Sequence, residues 1–98
     1  MIYAVLFEDN KAADPDIRKN YMQAHLAFLR SNAEQIVSAG PLLMPDGAPY
    51  GGLWLVNASD ETIVEVLIKE DPFWSTGLRA DYLIYQWSLV FGKGRAVL

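Results

Sequence analysis

The segment PDIRKNYMQAHLAFLRSNA, residues 15–33, predicts the helix around which the rest of the chain is arranged. On a helical wheel of about 100° per residue, its apolar side chains form two adjacent stripes that together cover about half of the wheel. The stripes consist of Ile17, Tyr21, Ala24 and Phe28, and of Met22, Leu26, Leu29 and Ala33. Between them runs a polar row of Arg18, His25 and Asn32. Because burying an unpaired arginine or histidine is costly, this row predicts either partner groups or a wet pocket.

The composition indicates one small globular domain over residues 1–98. The chain is 52% hydrophobic and 20% charged, and it carries a net charge of −4. A mildly acidic chain without a run of Lys and Arg does not attract a phosphate backbone, so we expect no nucleic-acid partner. No apolar run reaches the ~20 residues of a spanning helix, and the N-terminus lacks a signal-peptide pattern. We therefore expect no membrane association and a cytoplasmic location.

The other segments predict four strands and a second helix. We expect strands over residues 2–7, 36–43, 53–56 and 82–91, helices over residues 15–34 and 62–70, and a turn over residues 72–77. The β-branched residues of the second helix alone would favour a strand. Its 3.6-residue period and an N-cap at Ser59 or Asp60 favour a helix. Asp71 precedes Pro72, which breaks this helix and allows Asp71 to cap the turn that follows.

The flanks of the predicted strands also carry information. Gly40 and Pro41 predict a bend in the second strand, which we expect at an edge of the sheet. Residues 44–52 are dense in Pro and Gly and predict a loop or a hairpin connection. Residues 92–94, Gly-Lys-Gly, are expected to end the last strand.

The element order β-α-β-β-α-β in about 100 residues predicts an α+β, ferredoxin-like sandwich. Such a fold has a four-stranded antiparallel sheet with both helices on one face. The first and last strands are apolar on both sides, so the face without helices would expose an apolar patch too large for a soluble monomer. We therefore expect a homodimer that associates through the helix-free sheet face.

A set of short motifs spans almost the whole chain in a fixed order. The motifs are Arg18 with His25-Leu26, then Ala39-Gly40-Pro41-Leu42, Gly51-Gly52, Asp71-Pro72-Phe73 and Gly77-Leu78. With this ordered set the chain resembles the YciI-like family of YCII-related domains in the dimeric α+β barrel superfamily. The resemblance implies a ferredoxin-like fold that dimerises through sheet faces, and a His-Asp active site carried by His25 and Asp71. Characterised relatives are cofactor-free lyases or dehydrochlorinases of small ring compounds.

Three polar residues are candidates for catalysis, and each has a structural alternative. The imidazole of His25 can exchange protons near neutral pH, and Asp71 could orient it, although a backbone carbonyl could equally satisfy this histidine. Arg18 could pair with a substrate carboxylate or a developing enolate oxygen, or form a salt bridge to Asp71 or Glu70. Asp71 could serve as a helix cap, with or without a catalytic role. Asn32 is interpreted as a polar residue at a helix end.

Aromatic residues supply candidate walls for an apolar ligand site. These are Tyr50, Trp54, Phe73 and Trp74, although such residues most often belong to a core. The Gly40-Pro41 and Gly51-Gly52 pairs are interpreted as positions where a loop approaches the pocket closely. One histidine, no cysteine and scattered carboxylates do not give the ligand spacing of a metal site, so we expect no metal and no cofactor. A single histidine could ligate haem, but no other feature of the sequence requires it.

Two functions are consistent with these residues. The first is a cofactor-independent lyase or isomerase, similar to a dehydrochlorinase, in which His25 removes a proton from a small cyclic, hydroxylated or carboxylated compound. Asp71 would orient His25, and Arg18 would stabilise the anion. The second is a non-catalytic dimer that binds a small molecule in the same pocket for regulation. An enzyme needs an imidazole that exchanges protons, whereas a binding module needs only its shape and hydrogen bonds.

Overall fold

The computed structural model describes residues 1–92, which form a four-stranded antiparallel sheet with helices packed on one face. The elements are β1 (Ile2–Asp9), α1 (Ile17–Ser31), β2 (Ile36–Leu43), β3 (Pro49–Asn57), α2 (Glu61–Glu70), α3 (Pro72–Ser75) and β4 (Arg79–Trp87). The strand order is β2-β3-β1-β4, and every neighbouring pair is antiparallel. The α+β, ferredoxin-like fold expected from the sequence is confirmed, as is the edge position of β2.

The core lies between the sheet and the helices. It is formed by alternate residues of β1 and β3 together with one side of α2. These buried residues include Tyr3, Val5, Phe7, Trp54, Val56, Val64, Leu67 and Ile68. Because strand side chains alternate between faces, the intervening residues of β1, Ile2, Ala4 and Leu6, lie on the helix-free face.

Helix α1 is shorter at both ends than residues 15–34. It begins at Ile17 because the Asp14 carboxylate accepts a hydrogen bond from the Asp16 amide at 2.9 Å, which holds this segment in a turn. The helix ends at Ser31, and Asn32 is its C-cap. The Asn32 side chain donates to the Phe28 carbonyl at 2.9 Å, so its role as a helix-end residue agrees with the sequence interpretation.

Helix α2 and the short helix α3 follow the expected capping pattern. Asp60 caps α2 by accepting from the Ile63 amide at 3.1 Å. Asp71 is extended, ends α2 and caps α3 by accepting from the Phe73 amide at 3.0 Å. Gly77 then closes the segment with φ of 81°, a conformation that favours glycine. Among the helices of residues 1–92, none is long and apolar enough to cross a membrane.

The strands differ from the sequence expectation in four places. β1 continues to Asp9 rather than ending at residue 7. β2 runs through Gly40 and Pro41 without interruption, because an edge strand tolerates a proline that lacks an N–H group. β3 begins at Pro49 rather than at residue 53, so the connection from β2 is a short hairpin. β4 covers Arg79–Trp87 rather than residues 82–91. Lys93 and Gly94, expected to help end this strand, lie outside the described residues.

A β-bulge near the end of β1 changes which side chains face the helices. Glu8 pairs with Asp81, but the next residue, Asp9, pairs with Arg79, so β4 contains one extra residue at Ala80. Paired residues in an antiparallel ladder share a face, and Asp9 lies on the same face as Phe7. The bulge therefore turns Arg79 toward the helix side of the sheet.

Replacing Gly51 with Ala should destabilise the sheet strongly. The added Cβ would collide with the backbone carbonyl of Phe7 on the neighbouring strand β1, and two paired strands cannot separate locally to make room. We expect a loss of unfolding free energy of at least ~3 kcal/mol, the upper end of ordinary overpacking, measured by denaturant titration.

Gly40→Ala is the matched control for this prediction. A Cβ at Gly40 would meet nothing within 4 Å, so its cost should stay within about 0.5 kcal/mol. Equal stability changes in the two variants would contradict the close approach of β1 and β3 at Gly51.

Candidate active site

A cavity of about 430 Å³ opens on the helix side of the sheet, between α1, the β2–β3 hairpin and α3. Its walls are largely apolar and include Met22, Leu26, Leu29, Leu42, Trp54 and Phe73. Four polar side chains reach it: Asp9, Arg18, His25 and Arg79. The volume lies within the range of sites that bind small molecules.

His25 and Asp71 are in direct contact beside this cavity. The Nδ1 atom of His25 lies 2.8 Å from Oδ1 of Asp71, although the two residues are 46 positions apart. His25 is the one buried residue of α1, and Asp71 has no exposed surface. The His25 ring also stacks on Phe73, with centroids 4.1 Å apart and planes 18° from parallel. The site thus holds the imidazole at one nitrogen and across one face.

The position of Asp71 follows from the break between α2 and α3. Pro72 ends α2, so Asp71 leaves the helical conformation and points its carboxylate into the first turn of α3. The same Oδ1 atom accepts from the Phe73 amide and contacts His25. Asp71 therefore both caps α3 and contacts His25.

Arg18 has a different partner from those considered in the sequence. Its NH2 atom lies 2.7 Å from Oδ2 of Asp9 in a salt bridge, whereas Asp71 and Glu70 were the expected partners. The partner differs because β1 is longer than expected. It extends to Asp9, so this carboxylate lies near the start of α1. The Arg18 side chain remains about one-third exposed and lines the cavity.

Arg79 is a site residue that sequence reasoning missed. Its NH2 atom lies 3.2 Å from Oδ2 of Asp71, and its side chain is only 6% exposed. The guanidinium lies over the Phe7 ring at 3.6 Å from the centroid, and over Trp54 at 5.3 Å. Burial lowers the pKa of Arg79 to about 10, against the opposing pull of Asp71. The residue therefore stays charged at neutral pH.

Arg79 and Asp71 lie close enough to form an ion pair, but the direction of the contact does not fit a hydrogen bond. Two polar atoms, Oδ2 of Asp71 and Nη1 of Arg79, are buried and have no hydrogen-bond partner among residues 1–92. The sequence does contain a signal for Arg79, because this residue directly follows the Gly77-Leu78 motif. Only the bulge at Ala80, however, decides that its side chain faces the cavity.

The four aromatic candidates separate into two pairs. Trp54 and Phe73 are buried and line the cavity. Trp74 does not line it, because one step along α3 rotates the side chain by about 100° from Phe73. It packs edge-on against Tyr82, with centroids 5.3 Å apart, beneath the Lys69 ammonium group.

Tyr50 also lies outside the cavity. It is 44% exposed, and its hydroxyl donates to a carboxylate oxygen of Glu8 at 3.2 Å. This hydrogen bond and the charge of Glu8 raise the pKa of Tyr50. The Gly40-Pro41 and Gly51-Gly52 pairs line the cavity, as the sequence interpretation expected, but they belong to β2 and β3 rather than to a loop. Gly51 also permits the close contact of β3 with β1. Within residues 1–92 no group of three or more His, Cys, Asp or Glu side chains is placed to hold a metal.

Replacing Asp71 with Ala should cost far more stability than the loss of a helix cap. The change removes the acceptor of the Phe73 amide and leaves Arg79 as a buried cation without a counter-ion, for an expected loss of about 3–5 kcal/mol. Asp60→Ala is the control, because Asp60 caps α2 through one exposed hydrogen bond and should cost about 1 kcal/mol. Similar losses in thermal or denaturant unfolding would show that Asp71 acts only as a cap.

Comparison with known proteins identifies the family. The model of the YCII-related domain matches residues 1–88. A solved structure of 5-chloro-2-hydroxyhydroquinone dehydrochlorinase (TftG) from Burkholderia phenoliruptrix AC1100, in complex with 2,5-dihydroxybenzoquinone, is 25% identical with a TM-score of 0.77. The match covers 90% of this chain and 94% of that chain. The structure of At3g17210 from Arabidopsis thaliana is 9% identical, covers 94% of this chain and 97% of that chain, and has a TM-score of 0.48. No curated protein matches. The chain belongs to the family of YCII-related domains.

Proposed function

We propose that this protein is a cofactor-independent lyase or isomerase that uses His25 and Asp71 for general acid/base chemistry. The observation that carries the proposal is the 2.8 Å contact between His25 Nδ1 and the buried Asp71 carboxylate, at the wall of a cavity of small-molecule size. An exposed histidine on the same helix would have neither a fixed orientation nor a shielded ligand site.

The contact with Asp71 gives the two ring nitrogens different roles. Because a carboxylate accepts hydrogen bonds, Asp71 favours the tautomer with the proton on Nδ1, and Nε2 then keeps its lone pair. His25 lines the cavity while Asp71 does not, so Nε2 is the nitrogen available to a ligand. In this arrangement Nε2 accepts a proton, and Asp71 stabilises the resulting imidazolium.

The proposed chemistry is an elimination without change of oxidation state. His25 takes a proton from a ring hydroxyl or an adjacent carbon of the substrate. The electron pair of the broken O–H or C–H bond becomes a C=O or C=C double bond, and a leaving group such as chloride departs with the electron pair of its own bond from a tetrahedral ring carbon, which an aromatic substrate provides as its keto tautomer. In an isomerisation, the imidazolium returns the proton to a different carbon. Neither route needs an oxidant, a reductant or a metal.

The cavity supports a small cyclic substrate. Its volume is about 430 Å³, and the rings of Trp54 and Phe73 provide flat apolar walls. The structural neighbour TftG is a dehydrochlorinase whose complex contains 2,5-dihydroxybenzoquinone. A hydroxylated or carboxylated ring compound with a leaving group is therefore the substrate class that we propose for this chain.

Chloride release from 5-chloro-2-hydroxyhydroquinone and related chlorinated hydroxylated rings tests the proposal. We expect the wild-type protein to accelerate the release, and His25→Gln to reduce the rate by about 10²–10⁴-fold, the usual contribution of a general acid/base. Asp71→Asn should also reduce it, because the amide cannot stabilise an imidazolium.

Asn32→Ala is the control, since Asn32 lies in the same polar row of α1 but does not line the cavity. Its rate should remain within about twofold of the wild type. If the ring compounds bind to wild-type protein but no leaving group is released, the alternative function applies, a non-catalytic binding or regulatory dimer.

We also propose that the protein forms a homodimer through the helix-free face of the sheet. This face is apolar across three strands, and its residues are Ile2, Ala4, Leu6, Leu53, Leu55, Leu83, Tyr85 and Trp87. Leu83 and Tyr85 are 53% and 54% exposed. An exposed apolar surface that is contiguous across paired strands is typical of an interface.

Tyr85→Glu should dissociate this dimer. A charge buried against an apolar partner surface is not compensated, so we expect the dissociation constant to rise at least about tenfold in sedimentation velocity. Val66→Glu is a matched control, because Val66 is 50% exposed on α2, on the opposite side of the sheet. A monomeric wild-type protein at micromolar concentration would rule out the dimer.

A further inference from the structure

The charges around the cavity are not distributed as the chain's net charge would suggest. The whole chain carries −4, yet the side chains that line the cavity comprise two arginines, one aspartate and the single histidine. These are Arg18 on α1, Arg79 on β4, Asp9 on β1 and His25 on α1. The lining residues of β2 and β3 carry no ionisable side chain. With Asp71, the counter-ion of Arg79 outside the lining, these charges balance when His25 is neutral, so the cavity lacks the negative excess of the whole chain.

The two arginines differ in whether the neighbouring carboxylate forms a hydrogen bond with the guanidinium. Arg18 and Asp9 meet at 2.7 Å in a salt bridge with hydrogen-bond geometry, so their charges compensate each other. Arg79 approaches Asp71 at 3.2 Å without forming a hydrogen bond, and its Nη1 atom has no partner among residues 1–92. Asp71 does not line the cavity, and its Oδ1 atom is occupied by His25 and the Phe73 amide.

A buried guanidinium with an unpaired nitrogen is costly unless another group completes its hydrogen bonds. The aromatic contacts with Phe7 and Trp54 stabilise the charge but accept no N–H in the plane of the guanidinium. An oxygen of a ligand in the adjacent cavity can supply the missing acceptor. An anionic oxygen would form the stronger bond, because a hydrogen bond between a guanidinium and an anionic acceptor is stronger than one to a neutral acceptor.

We propose that Arg79 is the anion-binding residue of the cavity, and that its ligand carries an anionic oxygen, as a phenolate, an enolate or a carboxylate, on an apolar ring. This inference rests on the proposed function, since it concerns the same cavity. It assigns to Arg79 the role that the sequence suggested for Arg18. Arg79 contacts the carboxylate that holds His25, so the bound oxygen would lie on the same side of the cavity as the imidazole.

A pair of ligands with the same shape and different charge tests this assignment. The ligands are 2,5-dihydroxybenzoate and its neutral amide, 2,5-dihydroxybenzamide, titrated against the protein by NMR at constant pH and ionic strength. The wild type should bind the benzoate roughly tenfold or more tightly than the amide, as a charge-assisted hydrogen bond predicts. In Arg79→Gln the preference should fall below about threefold, while Arg79→Lys should keep most of it.

Arg18→Gln is the matched control, because it removes the other arginine of the cavity and should keep the preference for the benzoate. Equal affinities of the two ligands for the wild type would overturn the proposal even if Arg79→Gln fails to fold. A preference lost in Arg18→Gln and kept in Arg79→Gln would also overturn it. His25→Gln should keep the preference for the anion without turnover, so that a failure of the elimination chemistry and a failure of anion binding can be told apart.

Discussion

The site depends on the contacts made by the buried carboxylate of Asp71. This carboxylate has no exposed surface, and it joins three elements through His25 of α1, the Phe73 amide of α3 and Arg79 of β4. Removing a carboxylate from water is expensive, and the two hydrogen-bonding partners and the charge of Arg79 offset that cost together. The packing of α1 against α3 and the orientation of the imidazole are therefore set by the same group.

Arg79 adds a second buried charge, and its effect on stability has a definite sign. Burial lowers its pKa to about 10, well below the ordinary value of an arginine, so the unfolded chain holds the proton more tightly than the folded one. The contribution of this group to the free energy of unfolding rises with pH only above about 10, between the folded and the unfolded pKa, and the full cost of burial is present at every lower pH. Asp71 and the Phe7 ring reduce that cost. A charge retained despite such a cost is typical of functional sites.

The fold could be predicted from local rules, whereas the contact of His25 with Asp71 was implied by the family resemblance, because the polar row alone left a backbone carbonyl as an equal partner. The polar row in α1 required partners, and each member has one: Asp9 for Arg18, Asp71 for His25 and the Phe28 carbonyl for Asn32. The Asp-Pro break after α2 indicated where the carboxylate leaves the helix.

The partner of Arg18 and the whole role of Arg79 were not predictable in the same way. Both depend on where β1 ends and on one extra residue at Ala80 in its pairing with β4. Strand ends and bulges are decided by pairing between distant segments, and no local pattern in the sequence specifies them. Tyr50 and Trp74 were misplaced for a related reason, since aromatic composition does not reveal which way a side chain points at a strand start or on a short helix.

Strand β1 contributes residues both to the proposed ligand site and to the proposed dimer face. Its alternate residues Phe7 and Asp9 contact Arg79 and Arg18 on the cavity side, while Leu6 and its neighbours form the apolar face on the other side. Side chains on opposite faces do not touch each other, so the site and the dimer face can be altered independently by substitution. The backbone is shared, however, and the bulge that turns Arg79 into the cavity lies next to Glu8, at the end of the apolar face. A partner chain that changed the twist of β1 and β4 at this bulge would move Arg79 relative to Asp71. The bulge therefore links the proposed dimer face to Arg79, the proposed anion-binding residue.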